Sequence, residues 1–210
     1  VERLNPVLEC PPSLVLTEHD GRVYGEGGDV AVDPHFRLFA TMNPAEYSGR
    51  SVLSPAFRDR WSLWTFVDAP GEAELKAMLR CLAFGEQPEF TQGGTLWRAS
   101  PTAPVHPGLA AAPEADELLA RLAAFHVAVA SASGQAGGGA ELGRARRERY
   151  VFTRRTLLAA MKLFAAAVER GETATVGLRQ AIELMYVERV APGPDRQAIR
   201  AAQRAVGLAA

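Results

Sequence analysis

Two kinds of hydrophobic pattern divide the chain. Up to about residue 70 the apolar positions come in short bursts between turn residues; beyond it they recur at three- and four-residue spacing over long stretches, which is the mark of amphipathic helices. At the start, Val1, Leu4 and Leu8 share one helical face, and the run stops before Cys10-Pro11-Pro12, which cannot continue a helix. It reads as the tail of a helix, and with neither Met nor cap residue ahead of it, further sequence upstream is expected. Residues 14–16 (LVL), the Asp20-Gly21 pair, residues 22–24 (RVY) and the glycine-rich 25–28 predict a hairpin with a loose loop. Residues 36–42 (FRLFATM) and 64–67 (WTFV) are continuous apolar runs, the pattern of strands buried on both faces of a parallel sheet. Between them, Ser54-Pro55 predicts the start of a short helix, with Ser at the cap and Pro in the first turn.

From Gly71 onward the spacing predicts helices over 72–84, 114–132, 153–169, 176–190 and 195–206. The expected fold class is therefore α/β followed by all-α, with a first domain over 1–70 and a helical second domain over 71–210. Two tracts interrupt the helices: 85–113, rich in Pro, Gly and Thr, and the Gly/Ser/Ala segment 131–139. Both read as mobile surface loops, the first as a flexible insertion.

Composition narrows the classes. The 210 residues are 48% apolar and 22% charged, which excludes disorder of the whole chain. A formal net charge of −1 argues against attachment to nucleic acid or anionic membrane through bulk charge, leaving local patches. Cys10 and Cys81 are too few for a disulfide framework and have no metal-ligand spacing, so a reducing cytoplasm is the expected compartment. No apolar run approaches the roughly 18 residues of a spanning helix. The positive charge is almost all arginine, with Lys76 and Lys162 the two lysines.

The segment 36–61, FRLFATMNPAEYSGRSVLSPAFRDRW, places a polar Asn43 at the carboxyl end of an expected buried strand and two arginines at the end of the following helix. Open parallel sheets bind their ligands at that end of their strands. This segment closely resembles the stretch from the sensor 1 strand to the arginine finger in AAA+ ATPases of the MoxR-like and dynein-related branch. VERLNPVLE resembles the helix after the Walker B strand of that branch, the hairpin over 14–32 the insertion before sensor 1, and FTRRTLLAAMKLF the sensor 2 helix of the lid.

The resemblance implies the carboxyl-terminal part of a P-loop AAA+ core, parallel strands plus a pre-sensor hairpin, followed by a helical lid. Asn43 matches sensor 1, which in that family helps place the attacking water. Arg60, in Asp59-Arg60-Trp61, matches the arginine finger, with Arg58 as second candidate. Arg155 matches the sensor 2 arginine, with Arg154 beside it as runner-up. The implied cofactors are ATP and Mg²⁺, the implied assembly a homo-oligomeric ring, a hexamer, and the implied partner a protein carrying a von Willebrand factor A domain. The shared chemistry is a guanidinium fork matched to phosphate oxygens.

The chain departs from that family in lacking G-x-x-x-x-G-K-[ST], since Leu75 precedes Lys76 and Met161 precedes Lys162. Without that loop and an acidic Walker B pair it lacks most of a nucleotide site. The expectation is thus an ATPase fragment inactive alone, its Mg²⁺ ligands outside this sequence. The alternatives are a degenerate structural AAA+ subunit, or a non-enzymatic helical module that binds nucleic acid through the arginine cluster over 144–155. Such a run usually forms a solvated face, and nucleic acid is not the expected partner, nor is a membrane. Trp61, Trp64 and Phe66 read as core, Arg50 as a surface or hinge residue, and His19, His35, His106 and His126 as scattered packed or solvated histidines. No metal site is expected.

Overall fold

The computed structural model describes residues 2–42, 53–134 and 141–208, and the chain divides into two compact units, residues 1–67 and 68–210. Asn43, the sensor 1 candidate, and Arg50 lie outside the described residues.

The first unit opens with a 3-10 helix, Glu2–Leu8, carrying Pro6 inside it. The tail of a helix expected there is thus present as a 3-10 helix, with Pro6 contributing no backbone N–H to its ladder. The expected hairpin is present but short: β1 (Leu14–Val15) pairs antiparallel with β2 (Val23–Tyr24), Leu14 opposite Tyr24. The four-residue α1 (Pro55–Arg58) has the predicted start, Ser54 Oγ accepting from the Phe57 amide at 3.2 Å with Pro55 in the first turn.

Residues 36–42 and 64–67 differ from expectation. Neither pairs as a strand. Phe39 is 90% exposed, Phe66 88% and Val67 92%. A strand that is apolar on both faces is buried only by neighbouring strands and covering helices, and the described residues supply none to it. Their β-structure consists of two antiparallel two-stranded pairs.

The second unit is helical. It contains α2 (Glu72–Phe84), α3 (Pro107–Ala110), α4 (Ala115–Ala132), α5 (Arg154–Glu169), α6 (Ala174–Ile182) and α7 (Pro194–Ala205). The reasons are local. Glu74 reaches back to the Gly71 amide at 2.8 Å to open α2, and Thr173 Oγ1 accepts from the Val176 amide at 3.4 Å to open α6. Gly85 ends α2 at φ +74°, the left-handed cap that glycine adopts without strain. The helix expected over 176–190 begins two residues earlier and widens into a π-helical turn, Glu183–Val187.

Leu79, Leu119, Leu122, Phe125, Leu157, Phe164, Leu178 and Ile182 are fully buried in one core shared by these helices. α5 lies against α6 so closely that a Cβ on Gly177 would sit 2.9 Å from the Ala167 methyl. The 85–113 segment carries a second hairpin, β3 (Phe90–Gln92) with β4 (Thr95–Trp97), and α3. It is tied back to α2, the Val105 amide donating to Leu82 O at 3.0 Å and the Thr102 amide to Gly85 O at 2.9 Å.

Candidate functional site

The two arginines after α1 take different local roles. Arg60 Nε donates to Glu9 Oε1 at 2.6 Å, and its Nη1 donates to the Ala56 carbonyl. This ties the end of α1 to the segment following the N-terminal 3-10 helix. Arg58 lies with its guanidinium 5.5 Å from the Trp64 ring centre, while the Trp64 indole donates to the Arg58 carbonyl at 3.2 Å. Trp61 stands edge-on between Phe57 at 5.9 Å and Trp64 at 6.5 Å. Its buried indole N–H has no partner among the described residues. Arg60 is thus held, with a third of its side chain still exposed, rather than extended freely into solvent.

Arg154 and Arg155 occupy the first two positions of α5, in the second unit. Both are exposed and neither side chain bonds to a described residue. Thr153 precedes them without a side-chain cap. Two cations therefore sit at the positive end of a 16-residue helix, an arrangement that is unfavourable alone and is relieved by an anion. The helix behind them is anchored through its buried face, with Leu157, Met161 and Phe164 in the core.

Two further features of the second unit are invisible to motif reading. A cavity of about 230 Å³ is lined by Glu114, Glu117, Arg121, Thr175, Arg179 and Leu208, among others. Thr175 donates to Glu114 at 3.1 Å, and Arg121 bonds Glu117 and the Gly207 carbonyl. The buried Arg179 Nε has no partner among the described residues.

The second is the pair His126 and Tyr186. The His126 ring is buried on α4, its Nδ1 2.8 Å from the Tyr186 hydroxyl in the π-helical turn. Phe125 packs edge-on to Tyr186 at 4.9 Å, and Phe152 stacks on it at 5.4 Å. Burial pushes the His126 pKa down to about 4 and the Tyr186 phenol up, against a smaller opposing pull from Arg189. Both are neutral at physiological pH. Only the spacing of His126 among Leu119, Leu122 and Phe125 hinted that it faces inward.

The chain matches no protein-family model and no solved structure. Among curated proteins it is similar to midasin of Dictyostelium discoideum, an AAA+ protein, with 43% identity over 65 residues. That stretch is 30% of this chain and 1% of midasin. The similarity supports a relation to AAA+ ATPases over part of the chain.

Such a relation brings Mg²⁺ and ATP into question. The sequence has no phosphate-cradling loop. No group of three or more His, Cys, Asp or Glu among the described residues could hold a metal. The residues present therefore do not fit a complete Mg²⁺–nucleotide site, and no step of hydrolysis is assigned to them. Among the described residues, no helix is long and apolar enough to cross a membrane.

Proposed function

We propose that this chain is the portion of a MoxR-like AAA+ ATPase that follows its nucleotide-cradling loop: the last part of the α/β subdomain and the helical lid. The observation that carries the reading is the partial similarity to midasin. It is supported by the order of Asn43, Arg58, Arg60 and the Arg154-Arg155 pair along the chain. In the intact ATPase, residues 36–42 and 64–67 are inner strands of a parallel sheet, which gives their exposed apolar side chains the neighbours they lack here. Arg155, with Arg154 as the alternative, offers a guanidinium at a helix N-terminus to a nucleotide phosphate bound by the same subunit. Arg60, or Arg58, offers one to the nucleotide of the adjacent subunit in a hexameric ring. Asn43 orients water. Opening and closing of the lid then acts on partner proteins, among them ones with a von Willebrand factor A domain, in the cytoplasm.

The test is the coding sequence upstream of Val1, followed by the activity of its product. A G-x-x-x-x-G-K-[ST] loop and an acidic Walker B strand are expected there, in a protein that hydrolyses ATP. An open reading frame that begins close to Val1 with neither element overturns the proposal.

A further inference from the structure

The arginines over 144–149 read from sequence as a solvated face, but the backbone beneath them is built. The loop begins at Gly143, φ +80°, where a Cβ would lie 2.1 Å from the Glu148 carbonyl oxygen. The Glu148 amide donates back to Gly143 O at 3.0 Å and the Arg146 amide to the same oxygen at 3.1 Å. Arg147 completes the turn at φ +55°, a left-handed conformation uncommon for a residue other than glycine. Three bonds fasten the loop to the start of α7 and the segment before it. The Gly143 amide donates to buried Asp195 Oδ1 at 3.0 Å, Arg146 Nη2 donates to Pro192 O at 3.0 Å, and the Ala191 amide donates to the Tyr150 hydroxyl at 3.2 Å.

What this rigid turn presents is positive charge. Arg144, Arg147 and Arg149 are exposed, and their guanidinium groups make no hydrogen bond or ion pair to the described residues. With Ser133, Leu142 and Glu148 they border an open cavity of about 460 Å³. Glu148 sets one carboxylate among them, and it accepts from the Tyr150 hydroxyl. A strained residue held in place by surrounding bonds marks a position where the side chain's direction matters.

We propose that this arginine turn is a docking surface for the phosphodiester backbone of nucleic acid. The amides of Arg146 and Glu148 are spent on Gly143 O, and that of Arg147 bonds Arg144 O. These three amides are therefore not open to a small oxyanion, and what the turn presents outward is a spread of guanidinia. An acidic protein partner would need an apolar or aromatic anchor, and Leu142, the large apolar side chain at this cavity, is itself buried. Spread guanidinia without a stacking ring suit a repeating polyanion, bound without regard to base sequence.

The experiment is fluorescence anisotropy of the 210-residue chain with a labelled 20-nucleotide oligo(U), titrated with salt. Three phosphate contacts predict a log–log salt slope of about −2 for a single strand, or roughly a sixteen-fold loss of affinity between 50 and 200 mM salt. The triple variant Arg144→Gln, Arg147→Asn, Arg149→Gln is expected to weaken binding at least tenfold and flatten the slope. Arg147→Asn alone separates recognition from folding: Asn tolerates the left-handed backbone, so the thermal midpoint should hold or rise while affinity falls several-fold. The proposal is overturned by the absence of any anisotropy change up to 100 µM chain at about 50 mM salt, the regime where such contacts are strongest. Equal affinity in the triple variant, or displacement of oligo(U) by an oligoglutamate of the same length as readily as by unlabelled oligo(U), also overturns it.

Discussion

His126 on α4 and Tyr186 in the π-helical turn share a buried hydrogen bond of 2.8 Å between Nδ1 and the phenol oxygen. The histidine is neutral in the folded chain, its pKa held at about 4 by burial against an ordinary 6.5. The unfolded chain therefore binds the proton more readily. Stability from this group is complete above pH 6.5 and is lost as pH falls toward 4, by about 3 kcal/mol in all. Urea unfolding of the second unit at pH 7.5, 6, 5 and 4.5 measures it. His126→Gln should flatten the slope between pH 6.5 and 4.5, and an unchanged slope would assign the pH dependence to other groups.

Removing the partner tests the bond itself. Tyr186→Phe keeps the aromatic stack with Phe125 and Phe152 but leaves a buried ring nitrogen unpaired. The expected cost at pH 7.5 is about 1–3 kcal/mol. In a double-mutant cycle with His126→Phe the two losses should be less than additive; strict additivity would mean that the bond contributes nothing.

Asp195 stands in the first turn of α7 and accepts the Gly143 amide. Asp195→Ala leaves that buried amide without its acceptor and is expected to destabilise by about 1–3 kcal/mol. Asp195→Asn retains an acceptor and should lose less. Chemical denaturation of both variants decides, and equal losses would place the effect in the carboxylate's charge near the helix N-terminus instead.

Gly85 closes α2 with its Cα facing Thr102 O, 1.7 Å from where a Cβ would stand. Gly85→Ala combines that clash with a positive φ and should lower stability by about 1–3 kcal/mol, more than its gain in unfolded-state entropy can offset. Thermal melts suffice to check it. A neutral result would show that the 102–105 segment leaves α2 at little cost.

Hydrogen exchange should rank the chain. Amides of α4, α5 and α6 are ladder-bonded over a shared core, whereas residues 36–42 and 64–67 lack strand partners, so the helices should exchange orders of magnitude more slowly. Protection of 36–42 equal to that of α5 would mean these runs find partners in solution.

Arg60→Ala tests the proposed ATPase. In this chain it removes a partly exposed ion pair with Glu9, expected to cost no more than about 1 kcal/mol. In the intact ring, loss of an arginine finger should reduce turnover by about 10³ to 10⁵ while nucleotide affinity changes little. Steady-state ATPase assays of Arg60→Ala and Arg58→Ala separate the candidates; an inactive Arg58 variant beside an active Arg60 variant reverses the assignment.

The helices were legible because their causes are local. The 3.6-residue apolar period, Ser54-Pro55, Glu74 behind Gly71 and Gly85 after Phe84 each act within a few residues, so α1, α2, α4, α5 and α7 lie within a residue or two of where the pattern puts them, while the helix expected over 176–190 gives way after Ile182 to the π-helical turn. Residues 36–42 and 64–67 carry an equally strong apolar signal, yet a strand exists only when another backbone bonds it, and composition says nothing of whether that backbone is near. The same distinction runs through the sites. Sequence order alone singled out Arg58, Arg60, Arg154 and Arg155, but only the folded chain decided that Arg60 is held by Glu9, 51 positions away. Likewise, the pairing of His126 with Tyr186 spans 60 positions, and the 144–149 turn is aimed by an aspartate 52 residues from Gly143. Contacts at such separations are set by how helices pack on one another, and no period or short motif encodes them.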